Sequence, residues 1–128
     1  MANRRGARSK TLHPKRGEIY LVTLDPTVGH EIKKTRPALV IQNNTSNEYL
    51  STTIVAPITS ALRLPLSPAH VLIVAGQLSG LDVASMALCD QIRTVDKRRL
   101  RKLLGRIDGS TLHQADVAIK VSLGLHGS

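Results

Sequence analysis

Glu31, Arg36 and Thr59 are the side chains whose types and settings best suit chemistry in this sequence. Two of them belong to one polar stretch, Asp25-Pro26-Thr27-Val28-Gly29-His30-Glu31-Ile32-Lys33-Lys34-Thr35-Arg36-Pro37. A plain hairpin needs only about two to five turn residues. A longer polar loop between apolar strands is where a site is expected. Arg36 precedes Pro37, which pushes its backbone toward the extended region. A guanidinium held this way can grip a phosphate through two parallel hydrogen bonds. An ordinary rim arginine looks the same from composition, and both readings stay open here. Thr59 ends the run Thr52-Thr53-Ile54-Val55-Ala56-Pro57-Ile58-Thr59. Proline cannot donate to a ladder, so Pro57 predicts an edge or a bulge that re-aims Ile58 and Thr59.

Other chemistries lack their residues. There is no glycine-rich run closed by Lys-Ser or Lys-Thr, and no Gly-x-Ser-x-Gly elbow. His13, His30, His70, His113 and His126 are scattered, and none pairs with another at metal-ligand spacing. No metal site and no cofactor is expected. Cys89 lies in an apolar stretch and reads as inert.

The polar loop must be carried by the elements around it. Glu18 to Leu24 reads as a strand, with Ile19 and Leu21 on one face and Tyr20, Val22 and Leu24 on the other. Apolar residues on both faces fit a strand sandwiched inside the fold. Ala38 to Gln42 reads as a second strand, Thr45 to Leu50 as a helical turn, and the β-branched run 52–59 as a third strand. Further strands are expected over His70 to Val74, over Ser85 to Val95 as one long strand, and over Lys102 to Ile107. Asp96 reads as the cap of a helical turn, and Ser110 as the N-cap of a last helix ending near Leu123. Leu112, Ala115, Ala118, Ile119, Ser122 and Leu123 form its apolar face. The expected architecture is a small antiparallel β-barrel with one C-terminal helix. The expected organisation is a basic disordered arm over 1–14, one domain over 15–125 and a tail over 126–128.

The chain has 128 residues, enough for one domain with a core. It has two Tyr and no Phe or Trp, so Val, Ile, Leu and Ala must fill that core. Its formal charge is +9, from 18 Lys and Arg against 9 Asp and Glu. That excess suits a polyanionic partner, nucleic acid first. A solubilising tail is the plainer account of the part carried by Arg4, Arg5, Arg8, Lys10, Lys15 and Arg16. A second basic cluster, Lys97, Arg98, Arg99, Arg101, Lys102 and Arg106, lies within the domain. No apolar run reaches membrane-span length, the N-terminus does not read as a secretory signal, and one cysteine gives no intrachain disulfide. These features predict a cytoplasmic protein.

Several stretches strongly resemble the MazF/PemK toxin family. They are Lys15-Arg16-Gly17-Glu18-Ile19-Tyr20, Asp25-Pro26-Thr27-Val28-Gly29, Glu31, Arg36 to Asn43, Thr53 to Thr59, and Asp90-Gln91-Ile92-Arg93-Thr94-Val95-Asp96-Lys97-Arg98-Arg99-Leu100. The resemblance covers residues 15 to about 125. It implies an SH3-like β-barrel acting as a homodimer, and the toxin of a toxin–antitoxin pair. It also implies metal-independent cleavage of single-stranded RNA to 2′,3′-cyclic phosphate and 5′-hydroxyl ends. The family's catalytic arginine and threonine fall on Arg36 and Thr59, and the loop acid of some members on Glu31. The Asp-Gln pair near bound RNA falls on Asp90 and Gln91. Many relatives carry Ser-Glu-Gln after the loop glycine, where this chain has His30-Glu31-Ile32. Because histidine side chains in general titrate near neutral pH, His30 is a candidate proton carrier or, alternatively, a loop shaper. Lys33 and Lys34 add phosphate affinity. Asn43, Ser60, Arg63 and Gln91 are candidates for reading bases.

Two other classes compete. One is a non-enzymatic toxin on the same fold, like the CcdB inhibitors of DNA gyrase. That type needs a Trp-Gly-Ile tail, and this chain has no Trp and ends Leu125-His126-Gly127-Ser128. The other is a basic RNA-binding module without activity.

Overall fold

The computed structural model describes residues 13–24 and 35–125. Within these described residues seven strands and two helices follow in order. They are β1 Glu18–Thr23, β2 Thr35–Val40, α1 Asn44–Tyr49, β3 Thr52–Thr59, β4 His70–Ile73, β5 Ser85–Leu88, β6 Arg93–Asp96, β7 Leu100–Arg106 and α2 Gly109–Leu123. A single 3-10 turn, Lys97–Arg99, joins β6 to β7.

The strands form one antiparallel sheet in the order β4-β5-β3-β2-β1-β7, with β6 also on β3. This corrects the expected SH3-like barrel. The sheet is open: among the described residues its end strands β4 and β7 do not pair with each other. The apolar face that barrel closure would have hidden is covered by α2, which packs against β4. Ala115 and Ala118 are buried there, with Leu112 and Ile119 beside them. Small residues at the contact let a helix approach a sheet closely, which is how one helix can replace a strand pair.

Both faces of β1 to β3 are apolar, and each feeds its own cluster. Ile19, Leu39, Ile41, Ala56 and Ile58 join the cluster beneath α2. The alternate residues Val22, Ala38, Val40 and Val55 join a second cluster with Leu24 and Val95. The period of two along each strand sorts side chains between these faces. Burying such side chains contributes roughly 1.5–3 kcal/mol each.

β3 is a central strand, not the edge that Pro57 suggested. One side of it pairs with β2 throughout Val55 to Pro57. Its other side changes partner, from β6 over Thr52 to Val55 to β5 over Ile58 and Thr59. The expected long strand over 85–95 is therefore two strands. From Ala87 to Arg93 the chain advances six residues while β3 advances three, so the turn at Cys89 to Ile92 loops out beside Ala56 and Pro57.

The helix caps also differ in detail. Asp108, not Ser110, caps α2, its side chain accepting from the Thr111 amide at 2.8 Å. Asn43 caps α1 by accepting from the Ser46 amide at 2.8 Å. Gly124 closes α2 in the left-handed region at φ 72°, where glycine avoids the Cβ clash. Arg16 ties the start of the domain to its end. Its Nε donates to the Ile41 carbonyl at 2.8 Å, and its Nη2 pairs with Asp116 on α2.

Candidate functional site: a cleft at the end of β2 and β3

Arg36 and Thr59 line one cleft of about 360 Å³. The β2–β3 register explains why. Ala38 lies opposite Pro57, and the same register continued by two residues sets Arg36 opposite Thr59. Opposed residues in an antiparallel pair share a face, with Cβ atoms about 5 Å apart. The pairing itself stops at Ala38 and Pro57. Pro37 and Pro57 have no amide hydrogen to extend the ladder, so the two strand ends can part and leave room between them. Pro37, Ile58 and Leu21 form the apolar floor, and Ser60 stands at the rim.

The Thr59 hydroxyl oxygen accepts from the Ala61 amide at 3.1 Å. That bond uses a lone pair and leaves the hydroxyl hydrogen to be donated elsewhere. Arg36 is exposed, and among the described residues no carboxylate forms an ion pair with it. The cleft thus offers a guanidinium fork and a hydroxyl from neighbouring strands. Both are donors suited to phosphoryl oxygens.

The opposite wall was not legible in the sequence. Residues 80–83 cross the cleft mouth and bring Asp82 to it. Asp82 and Arg36 are the charged groups among the described residues that line the cleft. Two glycines make this possible. A Cβ on Gly80 would lie 1.9 Å from the Leu104 carbonyl oxygen, and one on Gly105 would lie 2.2 Å from that of Leu78. Only bare backbone lets the segment before Asp82 lie flat on β7, where the Arg106 amide donates to the Leu78 carbonyl at 2.8 Å. Gly80 itself is a turn signal in the sequence. What it packs against is not.

The other candidate residues lie elsewhere or outside the description. Glu31, His30, Lys33 and Lys34 fall outside the described residues. Asn43 follows the far end of β2, about 20 Å of strand from Arg36, and its side chain is engaged as a helix cap. Arg63 is exposed on the loop after Ser60. Asp90 and Gln91 sit on the turn beside Ala56 and Pro57. The Asp90 carboxylate lies 3.1 Å from Nε2 of His70, which anchors this turn to β4. Neither residue lines the cleft. Cys89 is fully buried, and burial, with Asp90 adding to it, pushes its thiol up to about 11. That is the opposite of an activated nucleophile. Among the described residues no group of three or more His, Cys, Asp or Glu converges as a metal site, and no helix is long and apolar enough to cross a membrane.

Comparison with known proteins identifies the family. Residues 15–123 match the family described as PemK-like, MazF-like toxin of type II toxin-antitoxin system. The chain is 41% identical over 112 residues to an endoribonuclease MazF of Staphylococcus saprophyticus, covering 88% of this chain and 92% of that protein. A MazF endoribonuclease of Staphylococcus epidermidis is equally similar over the same span. Among solved structures, a Mycobacterium tuberculosis MazF toxin superposes with a TM-score of 0.71 at 26% identity, covering 85% of this chain and 98% of that one. A Deinococcus radiodurans MazE–MazF structure superposes with a TM-score of 0.72 at 26% identity, covering 88% of this chain and 97% of that one. With the family matched over nearly the whole described fold, and with the relatives covered almost end to end, the chain belongs to the MazF/PemK toxins of type II toxin–antitoxin systems.

Proposed function

We propose that this toxin is a metal-independent endoribonuclease that cuts single-stranded RNA at the Arg36–Thr59 cleft. The observation that carries the reading is that one cleft is lined by both donors. RNA supplies its own nucleophile. The 2′-oxygen attacks the adjacent phosphorus, the bond to the 5′-oxygen breaks, and a 2′,3′-cyclic phosphate forms. The 2′-proton leaves to a base, and the departing 5′-oxygen takes up a proton to end as a hydroxyl. Because attack is intramolecular, positioning lowers much of the barrier, and no metal-bound water is needed. Charge grows on the phosphoryl oxygens, and donors fixed there are usually the largest catalytic contribution.

In this reading Arg36 and the Thr59 hydroxyl hold the phosphoryl oxygens. Arginine stays protonated at neutral pH, so its fork suits charge stabilisation better than proton removal. Asp82 is the carboxylate that the described cleft offers as proton acceptor. Glu31 and His30 are the proton carriers proposed from the adjoining loop, and Lys33 and Lys34 its phosphate contacts. Ser60, next to Thr59, and Arg63 in the loop that follows are, with Asp90 and Gln91, proposed to contact the bases that set the cleavage sequence, whereas Asn43, engaged as a helix cap, is not. Residues 15–125 form the proposed catalytic unit, working as a homodimer in the cytoplasm. A cognate antitoxin with an acidic segment is proposed to occupy the same basic surface.

Incubating the pure protein with a long single-stranded RNA in EDTA tests the reading. Discrete cuts with cyclic phosphate ends are expected. Binding without cuts would leave only an RNA-binding module. No effect on RNA, with inhibition of gyrase, would favour the non-enzymatic alternative.

A further inference from the structure

We propose that Lys102, with Arg99 and Arg101 beside it, forms a phosphate-binding shelf that continues the Arg36 cleft onto β7 and holds the RNA backbone flanking the scissile linkage. The inference rests on the RNA-cleaving reading and adds a subsite to it. The strand registers locate the shelf. Leu21 pairs with Pro37 on one side and with Lys102 on the other. Leu21 and Pro37 both line the cleft, so Lys102 is the next residue of a row that floors it. Residues in one row share a face of the sheet, and neighbouring strands lie about 4.8 Å apart. Val22 likewise pairs with Arg36 on one side and with Leu100 on the other. Arg36 and the start of β7 therefore lie at the same end of the sheet, roughly 10 Å apart across two strand spacings.

The shelf is open to a ligand. β7 is an end strand of the sheet, and residues 101–103 are exposed. The 78–80 segment lies against β7 further along, at Leu104 to Arg106. Between Leu21 and Val22 the β1–β7 register slips, which leaves Arg101 as an extra residue on β7. Irregularities of this kind are frequent at sheet edges beside sites, where they re-aim side chains. Arg99 is held in place, because its Nη1 donates to the Thr23 carbonyl at 3.2 Å. A guanidinium has five N–H donors, so Nε and Nη2 remain for a phosphate. Thr23 in turn pairs with Thr35, the residue before Arg36.

The charge here is not balanced. Among the described residues no carboxylate forms an ion pair with Arg99, Arg101 or Lys102. Asp96, the acid nearest in sequence, already accepts from the amide, Nε and Nη2 of Arg98. Glu18 lies at the other end of β1, opposite Arg106. Asp82 is the acid that the described cleft presents. Residues 25–34, outside the described part, carry two acids and two lysines and so no net charge. Three cations beside one cleft carboxylate favour an anion. A cationic row leading out of a cleft built for one phosphodiester fits the neighbouring phosphates of the same strand. An acidic peptide would meet the same charges, but its carboxylates would have no reason to follow from Arg36 and Thr59. Basic residues on an edge strand also deter other chains from pairing with it, and the test separates that role from a contact with RNA.

The test follows binding of a long single-stranded RNA to the full-length Arg36→Ala protein over a range of salt concentrations, with and without Lys102→Ala. Each phosphate contact on a single strand contributes about 0.7 to the slope of log affinity against log salt. Lys102→Ala should lower that slope by about 0.7 and weaken RNAs of different sequence alike. Lys102→Arg should restore both. Lys120→Ala, which removes one exposed lysine from α2, should leave the slope where it was. With Arg36 intact, Lys102→Ala should raise KM severalfold and nearly keep kcat, the mark of lost uniform binding. An unchanged slope, a loss no larger than that of Lys120→Ala, or weaker binding of an acidic peptide with RNA unaffected would overturn the proposal. Cuts in EDTA by the unaltered protein, with an unchanged slope in Lys102→Ala, leave the cleft standing and the shelf refuted. A lowered slope without cuts does the reverse.

Discussion

At the scale of single residues, Arg36 and Thr59 make distinct predictions. Arg36→Ala should lower the cleavage rate by about 10²-fold, the typical cost of one transition-state donor. Arg36→Lys should also be poor, because a point charge replaces a planar fork. Single-turnover kinetics on a defined RNA measures both, and near-normal rates for the lysine variant would remove the two-bond grip. Thr59→Val removes the hydroxyl and nearly keeps the shape. It should unfold within about 1 kcal/mol of the parent, since the lost bond to the Ala61 amide is a partly exposed one. Its cleavage should nevertheless fall about tenfold or more. A parental rate would make this threonine purely structural. Arg36 was legible because Pro37 marks it as held, and Thr59 because a β-branched run ends on it. Asp82 was not legible. It sits in no motif, and its approach depends on Gly80 meeting Leu104 across the sheet.

At the scale of elements, local chemistry was read well and long-range pairing was not. The run Thr52–Thr59 is a strand from its first residue to its last, because β-branched residues fill it and turn residues flank it. The break at Cys89 to Ile92 was poorly legible because Asp90 is its single turn-forming residue, with no glycine, proline or asparagine beside it. Asp108 and Ser110 are both good caps, and only the hydrogen bond to Thr111 decides between them. The open sheet was the largest departure, since the sequence carries no local sign of whether two edges will meet. One contact between elements is sharp enough to test. Gly105→Ala would put a methyl group 2.2 Å from the Leu78 carbonyl oxygen, so the 78–80 segment must lift off β7. A loss of about 2 kcal/mol or more is expected in urea unfolding. Activity should fall as well, because Asp82 rides on that segment.

At the scale of the whole molecule, the protein is strongly basic, and its response to salt and acid follows from where charges sit. Raising salt from about 50 to 200 mM should weaken RNA binding roughly twentyfold if about three phosphates are contacted. Salt-independent binding, measured by fluorescence anisotropy, would contradict a phosphate-led interface. Hydrogen bonds from the Thr111 backbone and side chain hold the Asp108 carboxyl below its usual range. A carboxyl lowered in the folded state stabilises the fold above its unfolded pKa, and that contribution is lost as pH falls through the lowered value. Asp108→Asn keeps a capping side chain but cannot titrate. Its unfolding midpoint should decline less than the parent's below about pH 4. Identical acid limbs would show that this cap carries no pH dependence. The change of partners along β3 has a mechanical side. Arg36 is braced by Val22 on β1, whereas Thr59 is braced by Met86 on β5. The two donors therefore sit on neighbouring paired strands whose outer partners differ, and the gap between them depends on how β1 and β5 brace those strands. Prying β5 away from β3, with every donor left chemically intact, is expected to widen that gap and lower cleavage.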